Sequence, residues 1–148
     1  MNADKLKEIL ADHKVWVESG EQRGKRADLN GANLHGANLH GADLRCALLR
    51  NANLNGADLS YAYLHGANLN GADLTGAHLI NSRLSYTHLR NALLRNTDLN
   101  RADLTGAHFE LEFKSVKYFS NTIFSEAAIP WVILNPQWSE YADSVTFV

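Results

Sequence analysis

Seven histidines, one cysteine and a scatter of aspartates are the side chains in this sequence that could carry acid–base, nucleophilic or metal chemistry. Cys46 is the only cysteine, so it cannot pair within the chain, and a CxxC or cysteine-rich metal site is excluded. The serines hold no fixed relation to a histidine and an aspartate, so a hydrolase triad is not supported. No glycine-rich phosphate loop is present. Gly31, Gly36, Gly41, Gly56, Gly66, Gly71, Gly76 and Gly106 fall at multiples of five residues, the spacing of a recurring turn. His13 lies apart from this series and reads as a packed or capping residue. None of these patterns asks for a cofactor, a metal or a catalytic residue.

The element that must position these side chains is a repeat. Position i of each unit is a large apolar residue: Leu29, Leu34, Leu39, Leu44, Leu49, Leu54, Leu59, Leu64, Leu69, Leu74, Leu79, Leu84, Leu89, Leu94, Leu99, Leu104 and finally Phe109. Position i−2 is small throughout, from Ala27 and Ala32 to Ala107, with Ser82, Thr87 and Thr97 as the exceptions to alanine. Positions i−1, i+1 and i+2 are mostly polar or glycine. Leucine and alanine therefore point inward, and the other three positions mostly point to water.

A helix cannot satisfy this period, because a step of five residues at about 100° each leaves successive leucines rotated by about 140°. A flat strand fails too, since five is odd and alternate leucines would fall on opposite faces. A coil that bends once per unit succeeds. Glycine or asparagine at i+2 (Asn51, Asn81, Asn91, Asn96) suits the bend, where a positive φ costs least. Burying one leucine returns less than ordering five residues costs, so stability must be collective and the coil ends must be weak points.

Tandem A-(D/N)-L-x-x units, as in Ala32-Asn33-Leu34-His35-Gly36 and Ala72-Asp73-Leu74-Thr75-Gly76, resemble the pentapeptide-repeat family. The resemblance covers seventeen units, about Ala27 to Leu111. It implies an all-β solenoid: a right-handed quadrilateral β-helix with four units per coil and a little over four coils. Residues twenty apart would then stack in one column. His88 and His108 become neighbours, able to share a metal only if a third ligand such as Glu110 joined them. Asp58, His78 and Asp98 form a column at i−1, on a convex surface with no cleft to shift a pKa.

The flanks read differently. Residues 3–19 are expected to form an amphipathic helix with Leu6, Ile9, Leu10, His13, Trp16 and Val17 on one stripe, stopped at Gly20. Its simplest role is a lid on the first coil, with Trp16 over exposed leucine; a partner-binding helix is the alternative. Beyond Phe109 a degenerate coil is expected from roughly Val116 to Leu134. Trp131, Trp138, Tyr141 and Phe147 then form either a cap or a dimer contact. The organisation is thus a helix cap and linker at 1–25, the repeat at 26–111, and a final coil and cap or dimer contact at 112–148.

Net charge is −2, and no apolar run approaches a membrane span, so neither direct nucleic-acid binding nor a membrane partner is expected. The N-terminus lacks a signal-peptide core, which places the expected compartment in the cytoplasm. Function must be carried outside the leucine and alanine core. Departures from the outward pattern mark the candidate interface: Leu48, Arg50, Tyr61, Tyr63, Ile80, Tyr86, Arg90, Leu93 and Arg95, with Trp131 and Trp138 in the tail. The leading expectation is a non-catalytic module that binds an unidentified protein, with a homodimer through the C-terminal segment as one form. The family supplies the alternative, a mimic of B-form DNA that shields a type II topoisomerase (gyrase) from inhibitors. Seven carboxylates against six arginines leave the array at −1, a poor match to a phosphate duplex.

Overall fold

The computed structural model describes residues 1–108, together with the backbone of two short strands at Ile123–Phe124 and Thr146–Phe147. Phe109, Trp131, Trp138 and most of the expected last coil and tail lie outside the described residues.

Helix α1 spans Ala3–Glu18, one residue short of the sequence expectation. The Asn2 side chain caps it by accepting the Lys5 N–H at 2.9 Å, satisfying one of the free donors of the first turn. After Ser19 the backbone turns left-handed at Gly20, with φ 61°. The connecting segment then passes close under the helix at Gly24. A Cβ there would strike the Asp12 carbonyl and lie 2.7 Å from the Trp16 nitrogen, so glycine is required. Leu6 and His13 are buried, and Ile9 and Leu10 pack against the same core. Trp16, expected to cover leucine, is instead half-buried between the rings and guanidinium of His13 and Arg26.

From Ala27 the chain coils with a fixed rung of twenty residues. Thirteen parallel bridges, from Asp28↔Leu48 to His88↔His108, all join i−1 positions twenty apart. Four units therefore make one turn, and the coil has four sides. The first side carries the units of Leu29, Leu49, Leu69 and Leu89. The second carries those of Leu34, Leu54, Leu74 and Leu94. The third is centred on Leu39, Leu59, Leu79 and Leu99, and the fourth on Leu44, Leu64, Leu84 and Leu104. Regular sheet is sparse, because a corner every five residues leaves little extended backbone between bends. Strand β1 (Asp103–Leu104) pairs in parallel with β2 (Ile123–Phe124), which keeps the twenty-residue offset, and β2 pairs with β3 (Thr146–Phe147).

Each corner is a β-turn. The leucine carbonyl accepts the N–H of the next unit's small residue, as Leu29 O does from Ala32 N at 3.1 Å. The third turn residue has positive φ, the sign a type II turn requires. Non-glycine residues occupy it at Cys46, Asn51, Tyr61, Asn81, Tyr86, Asn91, Asn96 and Arg101, with φ between 55° and 61°. Rungs are joined by repeating bonds: Leu29 N to Leu48 O at 2.8 Å, Leu48 N to Ala27 O at 3.0 Å, and Gly31 N to Arg50 O at 2.7 Å.

The interior is the leucine column and its small neighbours. All sixteen leucines at position i, from Leu29 to Leu104, are buried. Where a hydroxyl replaces alanine inside, it donates to a carbonyl: Ser82 Oγ to Leu79 O at 2.6 Å, Thr87 Oγ1 to Leu84 O at 2.7 Å, and Thr97 Oγ1 to Leu74 O at 2.9 Å. No buried hydroxyl is left without a partner there, which removes the penalty of burying it.

Candidate interaction surface

Asp or Asn at i−1 does more than face water. Its Oδ1 accepts the backbone N–H of i+1, as Asp28 does for Asn30, Asn53 for Asn55 and Asp103 for Thr105, at 2.9–3.1 Å. This is an Asx turn that braces each corner. At Leu48 and His88 no such acceptor exists, and a residue one coil away replaces it. Asn30 Oδ1 takes the Arg50 N–H at 2.8 Å, and Asn70 Oδ1 takes the Arg90 N–H at 2.9 Å. Outward departures are thus spread over a braced backbone, and their side chains are free to vary.

The structure divides the candidate residues into separate places. Leu48, Arg50 and Arg90 stand on the first side, with Leu48 half-buried and both arginines exposed. Leu93, 49% exposed, and Arg95 stand on the second side. Ile80 is half-buried on the third side. The three exposed tyrosines converge elsewhere. Tyr61 turns the corner into the fourth side, Tyr63 lies in its middle, and Tyr86 turns the corner out of it one coil on. They are 54%, 41% and 55% exposed.

Between those corners runs a shallow groove of about 700 Å³ lined by Asp43, Arg45, Tyr63, His65, Arg83, Ser85 and Asp103. Arg45 grips Asp43 through Nε at 2.9 Å and Nη2 at 2.6 Å. That hydrogen-bonded pair holds the Asp43 carboxyl below the usual carboxylate range and raises Arg45. The Arg83 guanidinium lies 5.1 Å over the Tyr63 ring. His65 Nδ1 is 3.1 Å from Ser85 Oγ, and its ring meets the edge of Tyr86 at 5.4 Å. The same contact recurs at the preceding corner, where His40 lies 5.3 Å from Tyr61. These histidine–tyrosine pairs were not read from the sequence; the signal is a histidine at i+1 followed 21 residues later by tyrosine at i+2.

Candidate chemistry elsewhere is limited by geometry. His88 and His108 are stacked, with centroids 5.2 Å apart and planes 13° from parallel, so their nitrogens do not converge. Among the described residues no three of His, Cys, Asp and Glu are grouped to hold a metal ion. Asp58, His78 and Asp98 do stack at i−1. His40 Nδ1 also approaches the Asp58 carboxylate at 3.5 Å. Burial would raise the Asp58 carboxyl, but hydrogen bonds from Ser60 and the nearby His40 and His78 outweigh it and hold it low. A carboxylate held low is a poor general base, and this one lies on a convex side. No helix among the described residues is long and apolar enough to cross a membrane.

Comparison with known proteins places this geometry. The family described as pentapeptide repeats matches in eight copies over residues 25–45, 38–76 and 72–110, more than half of the chain. No curated protein matches. A pentapeptide repeat protein of solved structure from Nostoc PCC 7120 is 28% identical, with a TM-score of 0.53 over 74% of this chain and 92% of that one. A pentapeptide repeat protein from the Arabidopsis thaliana thylakoid lumen is 29% identical, with a TM-score of 0.35 over 68% of this chain and 66% of that one. The plasmid-mediated fluoroquinolone resistance protein QnrB1 is 16% identical, with a TM-score of 0.35 over 72% of this chain and 63% of that one. The first likeness is one of fold; the other two carry no argument about this chain. With its repeat matched over most of the coil and its four units per turn, the chain belongs to the pentapeptide-repeat family.

Proposed function

We propose that this chain is a non-catalytic protein-interaction module whose binding surface is the fourth side of a right-handed coil. The observation that carries this reading is the convergence of Tyr61, Tyr63 and Tyr86 on one side, beside Arg83. Exposed tyrosine and arginine are the residues most enriched at binding hot spots. The backbone beneath them is fixed by rung and corner hydrogen bonds, so binding would order few groups and lose little entropy. In this reading α1 is a cap on the first coil, the compartment is the cytoplasm, and the partner is a protein rather than nucleic acid or membrane. A copy of the chain itself is one form that partner takes. Affinity capture of the full chain with native mass measurement tests it; a chain that stays monomeric and captures nothing contradicts it.

The topoisomerase-mimic reading requires an acidic side. On the third side Asp58 and Asp98 are interleaved with His78, with Arg101 at the corner into the fourth side, and on the fourth Asp43 and Asp103 stand beside Arg45 and Arg83. Two carboxylates separated by a histidine on the third side, and mixed charge on the fourth, fall well short of a phosphate duplex and support the protein-partner reading over the mimic. A gyrase supercoiling assay with and without quinolone separates the two, the mimic alone giving inhibition or protection at micromolar protein.

A further inference from the structure

Six of the seven histidines stand on outward, exposed positions of the coil; His13 alone is fully buried, at 0% exposure. It sits where α1 meets the first coil. Its Nδ1 accepts the Ala27 N–H at 3.0 Å, at the residue that opens the repeat array. An accepting Nδ1 carries no proton, so the ring is neutral and its proton rides on Nε2. Nε2 is buried and makes no hydrogen bond of good geometry, with the Arg45 backbone the polar group close to the ring. The ring stacks on Trp16 of its own helix, with centroids 5.5 Å apart and planes at 16°. From the first coil it faces Asp43 and Arg45, and from the connecting segment Arg26. Arg26 in turn donates from Nε to the Cys46 carbonyl at 2.6 Å and lies 5.8 Å over Trp16. Two guanidinium groups thus oppose one carboxylate, and Arg45 already engages that carboxylate.

We propose that His13 is a proton-operated latch: neutral, it docks α1 on the first coil through Ala27; protonated, it releases the helix and opens that end of the coil. Protonation turns Nδ1 from acceptor to donor, so two donors face each other where one hydrogen bond stood. It also creates a buried cation near Arg26 and Arg45, with Asp43, already engaged by Arg45, as its counter-charge. Release exchanges both penalties for water. It uncovers Leu6, Ile9 and Leu10, and frees the Asn33 carbonyl at the coil's end, to which the Met1 amine donates at 3.0 Å. Such an unpaired parallel edge is a template for further association. The latch borders the fourth side through Asp43 and Arg45, but its release is read at α1 and does not depend on which partner that side binds.

The sign follows from linkage. Burial is the main cause that holds His13 below its ordinary pKa, with Arg26 and Arg45 adding to it, against the pull of the Asp43 carboxylate and of the Arg45 backbone. The latched state therefore binds fewer protons than the open state. Latching is complete above pH ~6.5 and weakens as pH falls, by up to about tenfold per pH unit until the lowered latched pKa is reached.

Hydrogen exchange of residues 3–18 in the full chain, corrected for intrinsic pH dependence, tests the latch alongside His13→Gln. The glutamine can still accept from Ala27 and does not titrate. Expected is a fall in α1 protection of up to about fivefold between pH 6.5 and 5.5 in the parent and under about twofold in H13Q. Should H13Q not fold, NMR of the parent decides: the His13 ring must titrate below the ordinary imidazole value of about 6.5, with Ala27 amide protection lost at the same midpoint. The proposal is overturned by α1 protection that is flat with pH, by an equal fall in H13Q, or by a His13 that titrates while Ala27 stays protected.

Discussion

Leu64→Ala, in the middle of the fourth side, measures how rigid the coil is. Leu64 is fully buried, with Leu44 and Leu84 above and below it in the same column. Its backbone is held from both directions. Leu64 N donates to Arg83 O at 2.8 Å, and the adjacent Tyr63 O accepts from Leu44 N at 2.8 Å. Removing three carbons at about 0.8 kcal/mol each forfeits about 2.4 kcal/mol of burial. The rung bonds keep the neighbours from collapsing into the void, so the cavity contribution persists and the total should reach about 4 kcal/mol, in the upper part of the range for buried leucines. Leu94→Ala is the comparison. Leu94 is 9% exposed on the second side, so solvent relieves part of the loss there, and about 2–3 kcal/mol is expected. Urea unfolding followed by circular dichroism, read as the midpoint shift at constant slope, checks both. A loss at Leu64 under 1 kcal/mol, or smaller than that at Leu94, would show that the coil relaxes around cavities, and the rigidity argument would fail.

Three further perturbations follow from particular contacts. Gly106→Ala should cost about 1–2 kcal/mol through its positive φ alone, and more through the clash of its Cβ, placed 2.7 Å from Tyr86 Cε1. In a Tyr86→Asn background the extra part should vanish; a double-mutant cycle with coupling under about 0.5 kcal/mol would rule out the ring contact. Asp43→Asn keeps the acceptor for Arg45 N–H but removes the ion pair, for about 0.5–1 kcal/mol at neutral pH, since both side chains are partly exposed. Because the folded carboxyl lies below its unfolded value of about 3.9, that contribution is present above this pH and is lost as pH falls through the folded value. Parent and variant unfolding curves should therefore differ at pH 7 and converge in strong acid; a gap that persists there refutes the assignment. Thr97→Val should cost about 1 kcal/mol, because the hydroxyl bond to Leu74 O is lost while that carbonyl keeps the Ala77 N–H. Thermal unfolding of T97V tests this, and a variant more stable than the parent would contradict it.

The inward half of the architecture is legible from spacing alone. Leucine and alanine at a period of five exclude a helix and a flat strand, and the glycines and asparagines at i+2 locate the corners. The rung of twenty is not in the spacing; it comes from family resemblance and is visible in the bridges. The i−1 aspartates and asparagines look like solvent-facing polar residues, yet their short side chains brace the corners as Asx turns. That chemistry was readable from their type and their place before a turn. What a linear reading cannot supply is contact between side chains on neighbouring rungs. His65 meets Tyr86 and Arg83 covers Tyr63 only because the coil brings those units together. For the same reason Tyr61, Tyr63 and Tyr86 read as scattered departures until their corners are seen to border one side. Arg50, Leu93 and Arg95, grouped with them in the sequence, fall on other sides.

The central claim is that the fourth side binds a protein through its tyrosines. A Tyr61→Asn, Tyr63→Asn, Tyr86→Asn triple variant tests it while sparing the coil. Asparagine already occupies the left-handed corner at Asn51, Asn81, Asn91 and Asn96, and at position 63 it supplies an acceptor for the His65 N–H as Asn53 does for Asn55. The measurement is capture of the partner, or self-association by native mass, for parent and variant at matched concentration. The account predicts an unfolding midpoint equal to or above that of the parent, with association lost by at least about tenfold, as removal of an aromatic hot spot gives. A variant that folds equally well and associates as tightly as the parent would contradict it.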